Sequence, residues 1–314
     1  MDTVLVTGGA GFIGSNLCEK YIAKGYSVIA IDNLSSGNIQ NLKNIIDHKN
    51  FTFIKMDIRD KKLFDVFNKY KPNIINHHAA QKSVPYSIEE PKYDLDVNLF
   101  GLLNLINLCK EFSIKKFLYV SSGGALSKEI VGNEKSKESD SPQLISPYAI
   151  NKYAGEKYIE IYSKIYNFSF AILRYGNVYG ERQIKDGESG VIPIFIDNIK
   201  NNKNSILRTY KDMPRGCTRD YVNVIDVVNA NILLTENCCN DVFNIASSIE
   251  IPILDIYLKI KNIFNSNMDI MLESERPGDI RRSVLDIAKI ENKLSWKPIV
   301  DLDTGLKILK NTID

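Results

Sequence analysis

Histidine is scarce in this chain: three in 314 residues, two of them the neighbours His77 and His78. No spacing among them suits a tetrahedral metal site, so no metal is expected. The five cysteines, Cys18, Cys109, Cys217, Cys238 and Cys239, are odd in number and scattered. That suits reduced thiols in a cytoplasmic protein rather than a disulfide frame. Long apolar runs are missing too. No window of about 18 consecutive apolar residues occurs, which argues against a membrane helix. The opening "MDTVLVTGGAGFIG" lacks the charged segment and long apolar run of a secretory leader. Charge of one sign is also wanting: 40 Lys and Arg stand against 38 Asp and Glu, a formal net charge of +2. So even a balance gives no reason to expect a nucleic-acid or membrane surface.

What is present is apolar material for a sizeable core, 44% of the residues. The length predicts a large α/β domain with a smaller one appended. Short, nearly continuous apolar runs recur at 3–7, 27–32, 51–57, 73–79, 116–122 and 169–175. Helical patterns at 12–24, 60–70, 94–112 and 147–166 separate most of them. Buried strands alternating with helices predict a doubly wound parallel sheet with helices on both faces. Beyond residue 176 the alternation loosens: 185–190 and 211–220 read as loops, 224–236, 252–265 and 303–311 as helices. The expected division is 1–175 for a nucleotide-binding domain and 176–314 for a smaller α/β substrate-binding part, with about 220–248 returning to the first. The polar stretch 128–143, "KEIVGNEKSKESDSPQ", reads as an exposed, mobile loop.

"VTGGAGFIGSN" places Gly8, Gly11 and Gly14 between the first strand and the first helix. Glycines there allow a sharp turn and let backbone N–H groups approach a pyrophosphate at the positive helix end. Asp32 ends the second strand, eighteen residues after Gly14, where a carboxylate can bond ribose hydroxyls. An acid there repels a 2′-phosphate, so NAD is expected over NADP. In "SPYAINK" (146–152), Tyr148 and Lys152 stand four apart and share one helix face. Tyrosine is a poor base at its ordinary pKa of about 10, but a nearby cation and the positive nicotinamide of NAD+ would each favour its phenolate. A lowered phenol becomes a general base near neutral pH.

The three-residue glycine spacing together with "YAINK" resembles the short-chain dehydrogenase/reductase superfamily. "DNLSSGN" (32–38), "MDIRD" (56–60), "HHAAQKSVPYS" (77–87), "VNLFGLLNLI" (97–106), "RYGNVYGERQ" (174–183), "CTRDYVNVIDV" (217–227), "RPGDIRRS" (276–283) and "LSWKP" (294–298) are similar to motifs of its extended, sugar-nucleotide branch, in order. The resemblance covers essentially the whole chain and is strongest to the UDP-glucose/UDP-N-acetylglucosamine 4-epimerase family. It implies a Rossmann-type fold and a dinucleotide site built from Gly8, Gly11, Phe12, Ile13 and Gly14, then Asp32, Asn33, Ser36 and Gly37. Asp57, Ile58, Ala79, Ala80, Gln81, Asn98, Ser121, Tyr148, Lys152 and Tyr175 complete it.

The same resemblance gives Tyr148 the proton of a sugar hydroxyl, Lys152 a bond to the nicotinamide ribose, and Ser122 a hold on the reacting hydroxyl. Ser121 is the alternative to Ser122. The sequence departs from the family pattern just beyond, at Leu126, Ser127 and Lys128. For the UDP-sugar substrate, the resemblance implies Lys82, Ser122, Tyr148, Asn177, Val191, Tyr210, Arg219, Arg276, Asp279 and Ser283. Arginines suit a pyrophosphate because their planar fork bonds two oxygens at once. Dehydratases of this branch carry an Asp-Glu pair just after the catalytic hydroxyl residue, whereas Gly123 and Gly124 follow Ser122. The implied reaction is therefore C4 epimerisation with tightly held NAD. A sugar-nucleotide dehydratase or decarboxylase, or a non-catalytic nucleotide-binding relative, is the alternative. Ser283 is expected beside the sugar's C2 substituent, leaving room for an acetamido group. The family also implies a homodimer through the helices at 94–112 and 147–166.

Overall fold

The computed structural model describes residues 2–185, 190–275 and 280–313. Its strands are β1 (Thr3–Thr7), β2 (Ser27–Asp32), β3 (Phe51–Lys55), β4 (Ile74–His77), β5 (Lys116–Ser122), β6 (Ser169–Tyr175), β7 (Asn177–Tyr179), β8 (Ser205–Thr209), β9 (Thr218–Asn223), β10 (Asp241–Ile245), β11 (Glu250–Pro252) and β12 (Ile270–Ser274). Seven form the principal sheet, in the order β10-β6-β5-β4-β1-β2-β3, and it is a parallel, Rossmann-like sheet. The chain therefore winds one way from β1 through β2 to β3, then returns to β4 on the other side of β1. Ligands of such sheets bind where the strand order reverses, at the carboxyl ends of the strands. Here that point lies between β1 and β4, whose Thr7 and His77 are register partners.

By its internal packing the chain divides into two compact units. The first comprises the chain up to Leu126, Pro142–Arg174 and Val228–Phe243. The second comprises Ser127–Ser141, Tyr175–Val227 and the chain from Asn244 onward. In the first unit, Leu5, Ile31, Ile75, Phe117 and Ile172 of the sheet pack with Leu63 and Phe67, Leu102, Leu105 and Ile106, and Ile159. Those partners belong to the helices Leu63–Tyr70, Gly101–Phe112 and Pro147–Tyr166. A wholly buried ion pair ties the last of these helices to β6. Arg174 donates from Nε and Nη2 to the two oxygens of Glu156, at 2.8 and 2.7 Å. Glu156 is 0% exposed and Arg174 7%. Gly155 lets this helix approach closely, since a Cβ there would lie 2.2 Å from the Tyr119 hydroxyl.

In the second unit, β9 pairs in parallel with β7 and antiparallel with β11, and β8 pairs in parallel with β12. Its core gathers Tyr179 and Tyr221 with Ile192, Phe195 and Ile196, Ile256, Tyr257 and Ile260, and Leu306 and Leu309.

Three expectations need correction. The strands expected over 51–57 and 73–79 are shorter, ending at Lys55 and His77, because Met56–Asp57 and His78–Ala79 already belong to the loops at the carboxyl edge. The helix expected over 94–112 is interrupted. Pro91 starts a short helix, Pro91–Leu95, and Asp96–Phe100 form a π-turn in which Gly101 N–H reaches Asp96 O, before Gly101–Phe112 continues. Such turns insert one residue into the helical count and often mark functional positions. Finally, 128–143 is exposed over most of its length, as expected, but is anchored at several points. Ile130 and Ser136 are buried, Ser136 bridges in parallel to Leu285, and Asn244 N–H donates to Glu138 Oε1 at 2.8 Å. Asn244 Nδ2 also reaches Ser136 O at 3.0 Å, and Lys135 Nζ reaches Ser248 O at 2.8 Å. The polar side chains read as solvent-facing serve here as partners for backbone groups.

Candidate active site

The turn after β1 is shaped by backbone sterics. Gly8 has φ +66°, and a Cβ there would lie 2.9 Å from Ala79 N, on the loop leaving β4. A Cβ on Gly14 would meet Gly8 O at 2.1 Å. Gly11 N–H closes the turn onto Gly8 O at 3.0 Å, and the helix Phe12–Ala23 starts with no side-chain cap. Its first N–H groups are thus available to an anionic acceptor. Phe12 and Ile13 are half-buried on its first turn.

Asp32 closes this cradle. Its carboxylate accepts from Ala10 N at 3.0 Å and from Leu34 N at 2.8 Å. Burial raises its pKa, and the bonds from Leu34, Ala10 and Gly11 only partly offset that. A Cβ on Gly37 would lie 2.7 Å from both carboxylate oxygens, so the loop approaches the acid because that residue is glycine. Asn33 donates to Asp57 Oδ2 at 2.8 Å, while Arg59 grips the same carboxylate through Nε and Nη2 at 2.9 and 2.8 Å. The Arg59 bond is the main reason Asp57 falls to about 2. Ile58 beside it is buried, and Ser36 is exposed on the loop.

Ser146 caps the helix Pro147–Tyr166, accepting from Ala149 N at 3.2 Å, with Pro147 in its first turn. Tyr148 and Lys152 then fall one turn apart. The Tyr148 phenol is hydrogen-bonded to Ser122 at the end of β5. Lys152 is 4% exposed, and its Nζ lies 4.6 Å from the Tyr119 ring centroid. Strand alternation sends the neighbours Ser121 and Ser122 to opposite faces. Ser121 turns into the core and donates to Glu156 Oε1 at 2.6 Å; Ser122 meets Tyr148.

Burial dominates and pushes the Tyr148 phenol up to about 12, while Ser122 lowers it and Asp94 raises it. Burial likewise brings Lys152 down to about 8, against the supporting charges of Glu156 and Asp94. The protein's own groups therefore keep the phenol protonated near neutral pH, and the lysine alone does not activate it.

Gln81 and Asn98 converge on buried Asp94, a residue the sequence reading passed over. An acid three residues after a helix-starting proline, with an asparagine four further on, was its only trace in the sequence. Asn98 also donates to Gln81 O at 2.9 Å, and its Oδ1 is buried with no protein partner. Ala79 N donates to Thr7 Oγ1 at 3.1 Å, Ala80 is half-buried beside it, and Lys82 is exposed. Tyr175 is buried at the end of β6.

In the second unit, Arg219 and Ser283 meet at one carbonyl: Arg219 Nη1 donates to Thr218 O at 2.8 Å and Ser283 N at 3.3 Å. Ser283 is 3% exposed, and its neighbour Arg282 is held by Glu250 through two bonds of 2.7 Å. Tyr210 is buried, with the Arg281 guanidinium 4.8 Å from its ring centroid. Asn177 opens β7 and Val191 opens the helix Val191–Lys200, both half-buried. Arg276 and Asp279, and positions 186–189 of the loop read at 185–190, lie outside the described residues. Among the described residues there is no metal-ligand cluster and no helix long and apolar enough to cross a membrane.

A nucleotide-type glycine turn at the switch point of a parallel sheet, beside a Ser–Tyr–Lys cluster, defines a dinucleotide-dependent enzyme class. The model of the NAD dependent epimerase/dehydratase family matches residues 4–246, and the chain belongs to that family. A UDP-glucose 4-epimerase of Mycolicibacterium smegmatis is 34% identical over 307 residues, covering 96% of this chain and 95% of its own. Among solved structures, the Thermotoga maritima UDP-glucose 4-epimerase with UDP-glucose is 38% identical with a TM-score of 0.92, covering 99% of this chain and 100% of that one. The UDP-N-acetylglucosamine 4-epimerase of Methanobrevibacter ruminantium, in complex with UDP-N-acetylmuramic acid, is 34% identical with a TM-score of 0.91, covering 99% and 98%. Relatives named dTDP-D-glucose 4,6-dehydratases match as well, at 31–33% identity.

Proposed function

We propose that this protein interconverts UDP-hexoses epimeric at C4, through a 4-keto sugar, with NAD retained between turnovers. The observation that carries the reading is the Ser122–Tyr148 hydrogen bond, with Lys152 one turn on and Gly123–Gly124 immediately after the serine. A base for the C4 hydroxyl is present, and the acid–base pair for eliminating water is not where dehydratases of the branch carry it. The cradle of Gly8, Gly14 and Gly37 around Asp32, and the unpartnered Asn98 Oδ1, fit a bound dinucleotide.

Bound NAD would supply a hydride acceptor and donor for C4, epimerisation following when the hydride returns to the opposite face of the 4-keto sugar. Ser122 holds the C4 hydroxyl, Tyr148 carries its proton away and returns it, and Lys152 supports the phenolate while bonding the nicotinamide ribose. Arg219, with Arg276, Asp279, Asn177, Val191, Tyr210 and Lys82, holds the nucleotide and sugar in this reading. Ser283 keeps space at C2, so N-acetylated sugars are accepted. The apolar residues Phe100, Ile150, Ile161 and Ile165 are exposed around the helices Gly101–Phe112 and Pro147–Tyr166, and a second copy of the chain covers them in this proposal. Light scattering reads that directly, a monomer mass contradicting it.

The test is to incubate the protein, without added cofactor, with UDP-glucose and separately with UDP-N-acetylglucosamine, following the sugars by proton NMR. Growth of galacto signals to an equilibrium mixture is expected. A persistent 4-keto sugar would move the protein to the dehydratases, and no change even with added NAD would remove it from this chemistry.

Asp32 adds a pH signature. A carboxyl raised by burial gains its proton above the ordinary range of about 4, so acidification neutralises the ribose-binding charge early. Retained NAD should be released on titration before ordinary carboxylates protonate, and the Asp32→Asn variant should hold NAD weakly and equally across that window. Release in parallel with unfolding would contradict this. The linkage has the matching sign: the folded state binds this proton more tightly than the unfolded chain. The group's contribution to stability therefore falls as pH rises through the interval between the two pKa values.

A further inference from the structure

Asp94 is 0% exposed, in the short helix Pro91–Leu95 of the first unit. An ionised carboxylate only accepts hydrogen bonds, so each neighbour must turn a donor towards it. Three primary amides do so. Gln81 Nε2 and Asn98 Nδ2 donate to Oδ1 at 2.6 and 2.9 Å, and Asn151 Nδ2 donates to Oδ2 at 2.6 Å. The three come from different places: the loop after β4, the π-turn Asp96–Phe100, and the helix of Tyr148 and Lys152, one residue before the lysine.

This arrangement determines which end of each amide faces the site. Asn98 commits its N–H groups to Asp94 and to Gln81 O, so its Oδ1 is the atom left to present. Gln81 is fixed besides by Ser83, whose O accepts from its Nε2 at 2.9 Å and whose N–H donates to its Oε1. Asn98 keeps its bond to Gln81 O whatever stands at 94, whereas Asn151 Nδ2 has the Asp94 carboxylate alone to set its direction. The carboxylate is also a buried negative charge near both Tyr148 and Lys152.

We infer that Asp94 is a positioning residue of this site: it gathers the amides of Gln81, Asn98 and Asn151, sets the direction of Asn151 beside Lys152, and supplies the negative charge against which Lys152 is buried. The rate readout rests on the epimerase reading; the others do not. The other groups facing the pair come from every element packed on it. Lys152 feels Glu156 on its own helix, already engaged by Arg174, and His77 and His78 at the end of β4, which burial keeps neutral. It also lies over Tyr119 of β5. Tyr148 has Ser122 and Asp94. Of these, Asp94 is the one whose charge acts on both: it supports the lysine ammonium and opposes the phenolate. Its removal therefore moves both titrations towards acid.

The experiment compares Asp94→Asn with the unaltered protein. Expected are a pH–rate profile with both limbs displaced to lower pH by about one unit, and NAD content of the purified protein reduced several-fold. The new amide keeps its oxygen towards Gln81 and Asn98 and turns its N–H groups against Asn151 Nδ2, which forces Asn151 over beside Lys152. In the double variant Asp94→Asn/Asn151→Asp, a carboxylate again faces an amide across the same contact, and both limbs and the NAD content should return most of the way. This variant also serves where the single one fails to fold. A folded Asp94→Asn protein with unmoved limbs and full NAD content overturns the inference and leaves Asp94 a packing residue. If the unaltered protein turns over no sugar, the epimerase reading has failed on its own. The ultraviolet titration of Tyr148, taken as the difference from the Tyr148→Phe variant, and the NAD content then still decide for or against Asp94.

Discussion

Replacing Tyr148 by phenylalanine is expected to lower kcat for epimerisation by about a thousand-fold while leaving the retained NAD and the thermal stability close to their original values. General acid–base catalysis is worth about 10²–10⁴ in rate, and the variant removes only the oxygen that moves the proton. The protein groups alone hold that phenol up at about 12. The dinucleotide's positive charge must therefore supply the remaining drive, so the loss should be expressed in kcat rather than in KM. Ser122→Ala should cost less, since it removes a partner of the base and leaves the base. A Tyr148→Phe protein with more than a tenth of the original kcat would mean that another group carries the proton, and the role given to Tyr148 would fall.

The second large effect concerns stability. Glu156→Gln keeps the shape of the side chain but leaves the Arg174 guanidinium buried without its counter-charge, and it weakens the Ser121 bond. Breaking one side of a buried pair costs about 3–5 kcal/mol. A clear fall in the urea midpoint is expected. The double variant Glu156→Leu/Arg174→Met should recover much of it, since apolar groups of similar size need no partner. A single variant within about 0.5 kcal/mol of the original, the range of an ordinary surface change, would contradict the buried-pair account. Lys152 also loses a supporting charge in Glu156→Gln, so activity should suffer more on the alkaline side.

Some of this was open to a reader of the sequence and some was not, for physical reasons. The strand–turn–helix at Gly8–Gly14 is local: steric freedom at three glycines and a periodicity of apolar residues are written in consecutive positions. The same holds for the Tyr148–Lys152 spacing, where helix geometry alone brings the two together. The different surroundings of Ser121 and Ser122 are not local, because the partner of Ser121 is Glu156, thirty-five residues away. Asp94 escaped because its partners lie 13, 4 and 57 residues distant and are amides, which carry no pattern of their own. The segment 128–143 misled for a related reason. Its polar composition is that of a solvated run, yet Ser136 and Glu138 spend their bonds on Val284, Asp286 and Asn244 in the second unit. Burial, the larger effect on both Tyr148 and Lys152, is set by residues distant in the chain and leaves no mark in their spacing.

The chain passes from one compact unit to the other after Leu126, after Ser141, after Arg174, after Val227 and after Phe243. It follows that no single cut separates them. A recombination event joining the front of this gene to the back of a relative's would give at least one unit mixed parentage wherever the junction fell. Neither unit of such a protein can be inherited as a cassette through one junction. A change confined to either unit must then arise by substitution in place rather than by a single exchange of modules.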